Sequence, residues 1–305
     1  MNIYDFSLHT ALHNTSIKRV RIIVGEKAVA KRIRSPIVDG LFYPENPEEV
    51  LSYMQSIGLE RGKGGFAKAI IAPHGAWEIS GSLAGAAFAS AGGRAVKRSQ
   101  FRKSPFRIVI LGPIHDSGEE GIFLTNSHSF QTPLGDILVD KEATEWVETY
   151  SPLIKVNDIP HLREHSIEVL LPFVKYCFPQ AVIVPVLMSG QKKQYIRVLA
   201  NALRAVFLPE MDNTLIIISF NMTAKPEENT GMADECMRLF REGRYDKLYR
   251  ALQNGEITGC GSALITALLQ SGLVEETLPC PAKDFLLSAN GEKNKTVYYG
   301  GFAFV

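Results

Sequence analysis

The chain has 305 residues, 46% of them hydrophobic, enough to bury a full core as one large domain or two closely joined ones. Its 33 basic and 32 acidic residues leave a formal net charge of +1, which gives no general electrostatic reason to bind nucleic acid or an acidic membrane surface. The four cysteines, Cys177, Cys236, Cys260 and Cys280, include no C-x-x-C pair, so neither a zinc ribbon nor a disulfide framework is indicated and a reducing compartment fits.

In chain order, the N-terminus shows no basic segment leading into an apolar one, and no run of 18 apolar residues follows anywhere. A soluble, cytoplasmic protein with no membrane partner is expected. Residues 18 to 34, KRVRIIVGEKAVAKRIR, carry seven Lys or Arg and one Glu among Ile and Val, the pattern of a solvated edge hairpin protected by charge. Four runs, KAIIAP (68–73), RIVILGP (107–113), AVIVPVLM (181–188) and NTLIIISF (213–220), are apolar nearly throughout. Strands covered by helices on both faces have that composition. Helical spacing fills the intervals at 80–91, 141–150, 194–207, 233–243 and 263–272. A second basic stretch, Arg94 to Arg107, is expected to loop between a helix and a strand, and the closing TVYYGGFAFV reads as one strand completing the sheet. The alternation predicts an α/β fold: a mixed, mostly parallel central sheet flanked by helices on both faces.

Two of these strands run directly into histidines. APHGAW places His74 just after the first, and LGPIHDSG places His115 just after the second. Ligand crevices of open α/β sheets lie outside the carboxyl ends of the strands, so both imidazoles are expected to share a pocket. Cys260, between two glycines and directly before a helix, is either a thiol whose pKa the helix dipole lowers or a small apolar residue in a tight turn. Two nitrogens and a thiolate would suit zinc, copper or iron.

HLREHSIEVLLP (161–172) contains H-x-x-E-H, the signature of one class of zinc hydrolase. That chemistry needs His161 and His165 on one helical face, Glu164 beside them and a third ligand from a later helix. Glu227, Glu228, Asp234 and Glu235 are available, and nothing singles one out. Pro172 predicts a kink or a late start for any helix running on from His161. A competing reading has Glu164 and Ser166 cap a helix, with His165 a buried imidazole.

From residue 36 to the C-terminus, an ordered set of segments resembles the Memo proteins, whose fold is related to the class III extradiol dioxygenases. The segments are PIVDGLFYPENPEEV, APHGAWEISG, LGPIHDSG, TPLGDILVD, EHSIEVLLPF, VPVLMSGQ and CGSALI. The resemblance implies a single domain over 36–305, with residues 1–35 as an extension packed on it. It implies that His74, His115 and Cys260 occupy the place where the dioxygenases hold catalytic iron. Trp77, Asn221 and Glu164 would contact a ligand there, and His165 would be the acid/base residue. The family is associated with copper or iron and with redox chemistry; a human member is described as binding phosphotyrosine peptides, and microbial members often accompany a radical-SAM protein.

One segment departs from the pattern. Where the family reads S-S-D-F-S-H-Y, this chain has SFNMTAK, placing Asn221 at the aspartate and Ala224 at the histidine. Asn221 still hydrogen-bonds but carries no charge, and Ala224 does neither. GAW also replaces the family's A-G-Y around Trp77. Two functions follow as expectations: a metal-dependent oxidoreductase, or a non-catalytic protein recognising a small anion or a peptide group.

Overall fold

The computed structural model describes residues 31–94, 105–116, 118, 120–224, 231–275, 279–281, 287–291 and 295–305. The expected extension up to residue 30, the middle of the Arg94–Arg107 stretch, and Glu227 and Glu228 lie outside the described residues. Among the described residues no helix is long and apolar enough to cross a membrane.

The four apolar runs form adjacent or near-adjacent strands of an eight-stranded sheet. In spatial order it comprises Pro279–Pro281, Phe302–Phe304, Ala69–Ala72, Thr214–Ser219, Arg107–Pro113, Val182–Ser189, Gly121–Leu124 and Ile154–Val156. The four strands from Ala69–Ala72 to Val182–Ser189 are parallel. Gly121–Leu124 and Phe302–Phe304 are antiparallel to their neighbours in that set, which makes the sheet mixed. Ile70, Ile108, Ile110, Leu215 and Ile217 point into one core, with Trp77, Phe88 and Phe173 from the helices Trp77–Ala89 and Leu171–Cys177. Ile71, Val109, Leu111, Ile216 and Ile218 point into the other, against Leu199, Leu203, Leu264 and Leu268 from Lys193–Phe207 and Ser262–Ser271. Each fully buried Ile or Leu adds roughly 1.5–3 kcal/mol of hydrophobic stabilisation, so a sheet covered on both faces has no solvated side on which polar residues could alternate.

Two expectations need correcting. The closing segment is two strands, not one: Lys295–Tyr299 joins a separate four-stranded sheet, while Phe302–Phe304 joins the main one, with Gly300 and Gly301 between them. Arg34, grouped above with solvated edge charges, is only 1% exposed. Its guanidinium pairs with the equally buried Glu168 and donates from Nε to the His161 carbonyl (2.8 Å) and from an Nη to the Glu164 carbonyl (2.9 Å). Glu168 in turn accepts from the backbone N–H groups of Ile37 and Val38 and from the Tyr43 hydroxyl. This network ties the segment 161–168 to the chain entering the domain. Replacing Arg34 by Met should cost ~3–5 kcal/mol in urea denaturation, because Glu168 is left buried and unpaired; a loss below ~1 kcal/mol would show that the pair does not anchor the segment.

Candidate metal centre

The central parallel strands deliver their carboxyl ends to one place. His74 follows Ala69–Ala72, Ser219 ends the neighbouring Thr214–Ser219, and His115 follows Arg107–Pro113 beyond it. Cys260 arrives from the small sheet, paired with Asn221, and turns at once into the helix Ser262–Ser271 through Gly261. That turn requires glycine twice over: its φ is +96°, and a Cβ would lie 2.6 Å from the Ser219 carbonyl oxygen. Ligand atoms of His74, His115 and Cys260 thereby lie within 4.8 Å of one another, as do those of His115, Glu164 and His165.

Proton bookkeeping fixes the imidazole tautomers. The Ser219 hydroxyl has one proton and lies 2.7 Å from the Ser166 carbonyl, which can only accept. Its oxygen is also 2.6 Å from His74 Nδ1, so Nδ1 must carry the proton it donates to Ser219. His74 Nε2 is then the ring atom that faces Cys260 Sγ, at 3.3 Å. His115 follows the same logic: its Nδ1 donates to Glu164 Oε1 (3.0 Å), and its backbone N–H donates to Oε2 (2.7 Å). With Nδ1 committed, Nε2 is the atom left for the ring's contact with Cys260.

Charges follow from these contacts. Burial works against the Cys260 thiolate, but the imidazoles of His74 and His115 more than offset it and bring the thiol down to about 5. Burial disfavours the His115 imidazolium, yet hydrogen bonds to Cys260 and Glu164 push its pKa up to about 10. Glu164 is buried too, and its bonds and charge interaction with His115 hold the carboxyl down at about 2. His165 goes the other way, to about 4, because burial and the facing imidazoles outweigh a carboxylate 3.3 Å away. Its ring stacks on His115 at 5.0 Å and meets Phe42 edge-on. The side chains of His115 and His165 are 37% and 25% exposed, against 2% for His74 as a residue, so the cluster opens on their side.

The H-x-x-E-H motif does not form a zincin face. The helix Asp158–Arg163 ends within it, and Glu164 is extended at φ −100°, ψ 134°. His161 is buried, its Nε2 donates to the Phe123 carbonyl at 3.1 Å, and burial lowers its pKa to about 4. Glu235 is spent on Arg238. Pro172 sits in the first turn of the late-starting helix Leu171–Cys177. Trp77, expected to line the pocket, is instead 3% exposed in the core, its indole N–H donating to the Val169 carbonyl at 3.1 Å. Asn221 is beside the cluster, and its Oδ1 accepts the His74 backbone N–H at 3.1 Å. Glu164 orients His115 as described, and its Oε1 also accepts the N–H groups of His165 and Ser166. The orienting role of Ser219 was missed from sequence, although the strand-end rule that picked out the histidines applies equally to a serine closing a third parallel strand.

A two-nitrogen, one-sulfur donor set with both Nδ1 protons spent on oxygen acceptors is the arrangement metal-binding histidines need. The residues present fit a soft or borderline transition metal such as zinc, copper or iron.

The family model for Memo-like proteins matches residues 34–299. A MEMO1 family protein of Thermoplasma acidophilum is 30% identical over 242 residues, covering 77% of this chain and 85% of its own length. Another, from Thermotoga neapolitana, is 29% identical over 254 residues, covering 79% and 88%. A solved structure of an uncharacterized Escherichia coli K12 protein covers 76% of this chain and 98% of its own at 11% identity, with a TM-score of 0.42. By the extent of the family match, the chain is a member of the Memo-like protein family.

Proposed function

We propose that this protein holds one transition-metal ion through Nε2 of His74, Nε2 of His115 and Sγ of Cys260, and that the centre serves redox chemistry on a small ligand. The observation that carries the reading is the pair of Nδ1 contacts: Ser219 and Glu164 each take an Nδ1 proton and leave Nε2 as the ring atom facing Cys260, from which a bound ion would displace any proton. A bound ion would supply Lewis acidity and, as the copper or iron that the family resemblance implies, one-electron redox chemistry. The protein's own residues do the rest. Ser219 and Glu164 fix the two rings, Asn221 holds the His74 backbone, and His165 is a neutral imidazole at the open side, placed to take or give a proton.

A second reading, recognition of a small anion or peptide group without catalysis, is favoured by one observation. The positions where the family has a carboxylate and an imidazole are Asn221 and Ala224 here, which leaves His165 as the acid/base group at the cluster.

Metal analysis of purified protein separates the two. The first reading predicts about one equivalent of iron, copper or zinc, lost in His74→Ala and in Cys260→Ser; wild-type protein that stays metal-free after incubation with each ion would refute it. Ser219→Ala should keep the fold but weaken metal affinity by about 10–100-fold, since it removes the partner of Nδ1. An undiminished affinity would remove Ser219 from the account.

Alkylation gives an independent check. In metal-free protein Cys260 should react with iodoacetamide at a rate that stays high at neutral pH and falls only as the pH drops through about 5. Cys177 and Cys236, whose thiols burial pushes up to about 12, should stay unmodified in the same peptide map. Added metal should protect Cys260; a rate that falls already below pH 8 would show that no thiolate is held there.

A further inference from the structure

Tyr299 ends the strand Lys295–Tyr299, which runs antiparallel to Asn221–Ala224 with Tyr298 opposite Met222. One step further in that register puts Tyr299 opposite Asn221, and Asn221 is paired on its other side with Cys260. Side chains of paired residues project to the same face of a sheet. Cys260, Asn221 and Tyr299 therefore form one row, on the face where Cys260 meets the His74 ring and Asn221 meets the His74 backbone.

A second contact fixes the tyrosine ring. A Cβ on Gly75, the residue after His74, would lie 2.8 Å from Tyr299 Cε1 and 3.1 Å from Cζ. The phenol thus packs flush on the backbone that carries His74, in a space that only glycine leaves open. Tyr299 is 8% exposed, yet its hydroxyl has no hydrogen-bond partner among the described residues, while retaining accessible surface. A tyrosine this buried normally satisfies its hydroxyl within the protein. A phenol hydroxyl, with an ordinary pKa of about 10, is a protonated donor at neutral pH.

We propose that the Tyr299 hydroxyl is a ligand-contacting donor at this centre, hydrogen-bonding a small anion or oxygen-bearing ligand held beside His74, His115 and Cys260. It supplies a proton donor beside Asn221, an amide that stands where the resembled pattern has an acid. This assignment rests on the metal reading above and adds a residue to it.

The test uses the full chain loaded with cobalt(II), whose thiolate charge-transfer band reports Cys260 ligation, titrated with azide as the probe anion. Tyr299→Phe should keep the cobalt band and bind azide at least about fivefold more weakly, the loss of one hydrogen bond to a charged acceptor. Tyr298→Phe, on the opposite face of the same strand, should match wild type. Azide affinity in Tyr299→Phe within about twofold of wild type, or no azide binding by wild-type cobalt protein, overturns the Tyr299 assignment and leaves the metal reading standing. So does loss of the cobalt band in Tyr299→Phe, which would make the ring a structural prop. Absence of a thiolate band in the wild type overturns both.

Discussion

The site depends on one carboxylate. Glu164 leaves the helix Asp158–Arg163 in an extended conformation and accepts four N–H donors: the His115 backbone, His115 Nδ1 and the backbones of His165 and Ser166. A carboxylate so satisfied resists protonation, and it sets both the position and the tautomer of His115. The same segment brings the Ser166 carbonyl under Ser219, which sets the tautomer of His74. Arg34 holds the segment from behind through the Glu164 and His161 carbonyls. Buried charge that costs desolvation energy is used here to fix geometry, with both Glu164 oxygens accepting N–H donors.

The departure at Asn221 changes the charge beside His74 more than the scaffold. Asn221 Oδ1 performs the backbone-holding task that either aspartate oxygen could perform, so the His74 turn is preserved. What differs from the resembled pattern beside His74 is a negative charge, since an amide stands where that pattern has a carboxylate. A divalent ion bound by two neutral imidazoles and one thiolate keeps a net positive charge, which an anionic ligand can neutralise. On the proposed metal reading, an amide in place of a carboxylate would favour an anionic ligand, with His165 as the imidazole on the open side.

The strongest signals in the sequence were those written in a single short segment. Unbroken Ile and Val runs marked the central strands because a sheet covered on both faces admits no polar alternation, and their carboxyl ends marked His74 and His115. The helix Pro47–Ser56 is signalled in the sequence by Asn46, which accepts the Glu48 N–H, and by Pro47 at the first helical position, but it is absent from the expected helices. The short strands Gly121–Leu124 and Ile154–Val156 were missed because three or four residues carry too little period to register. Long-range partnerships left no local mark at all. Nothing in KRIR distinguishes Arg34, buried against Glu168, from its solvated neighbours, and nothing in GAW shows that Trp77 turns into the core to meet Tyr43, Tyr53 and Phe173. The H-x-x-E-H motif misled for the complementary reason: spacing alone assumes a continuous helix, and the chain breaks that helix at Glu164.

X-ray absorption at the metal edge, on protein purified without added chelator and reconstituted with a single ion, examines the centre most directly. The account predicts one sulfur scatterer at about 2.3 Å and two imidazole nitrogens at about 2.0–2.1 Å for a zinc-loaded sample, with the sulfur shell gone in Cys260→Ser. A spectrum of oxygen ligands alone, or one that Cys260→Ser leaves unchanged, would contradict it.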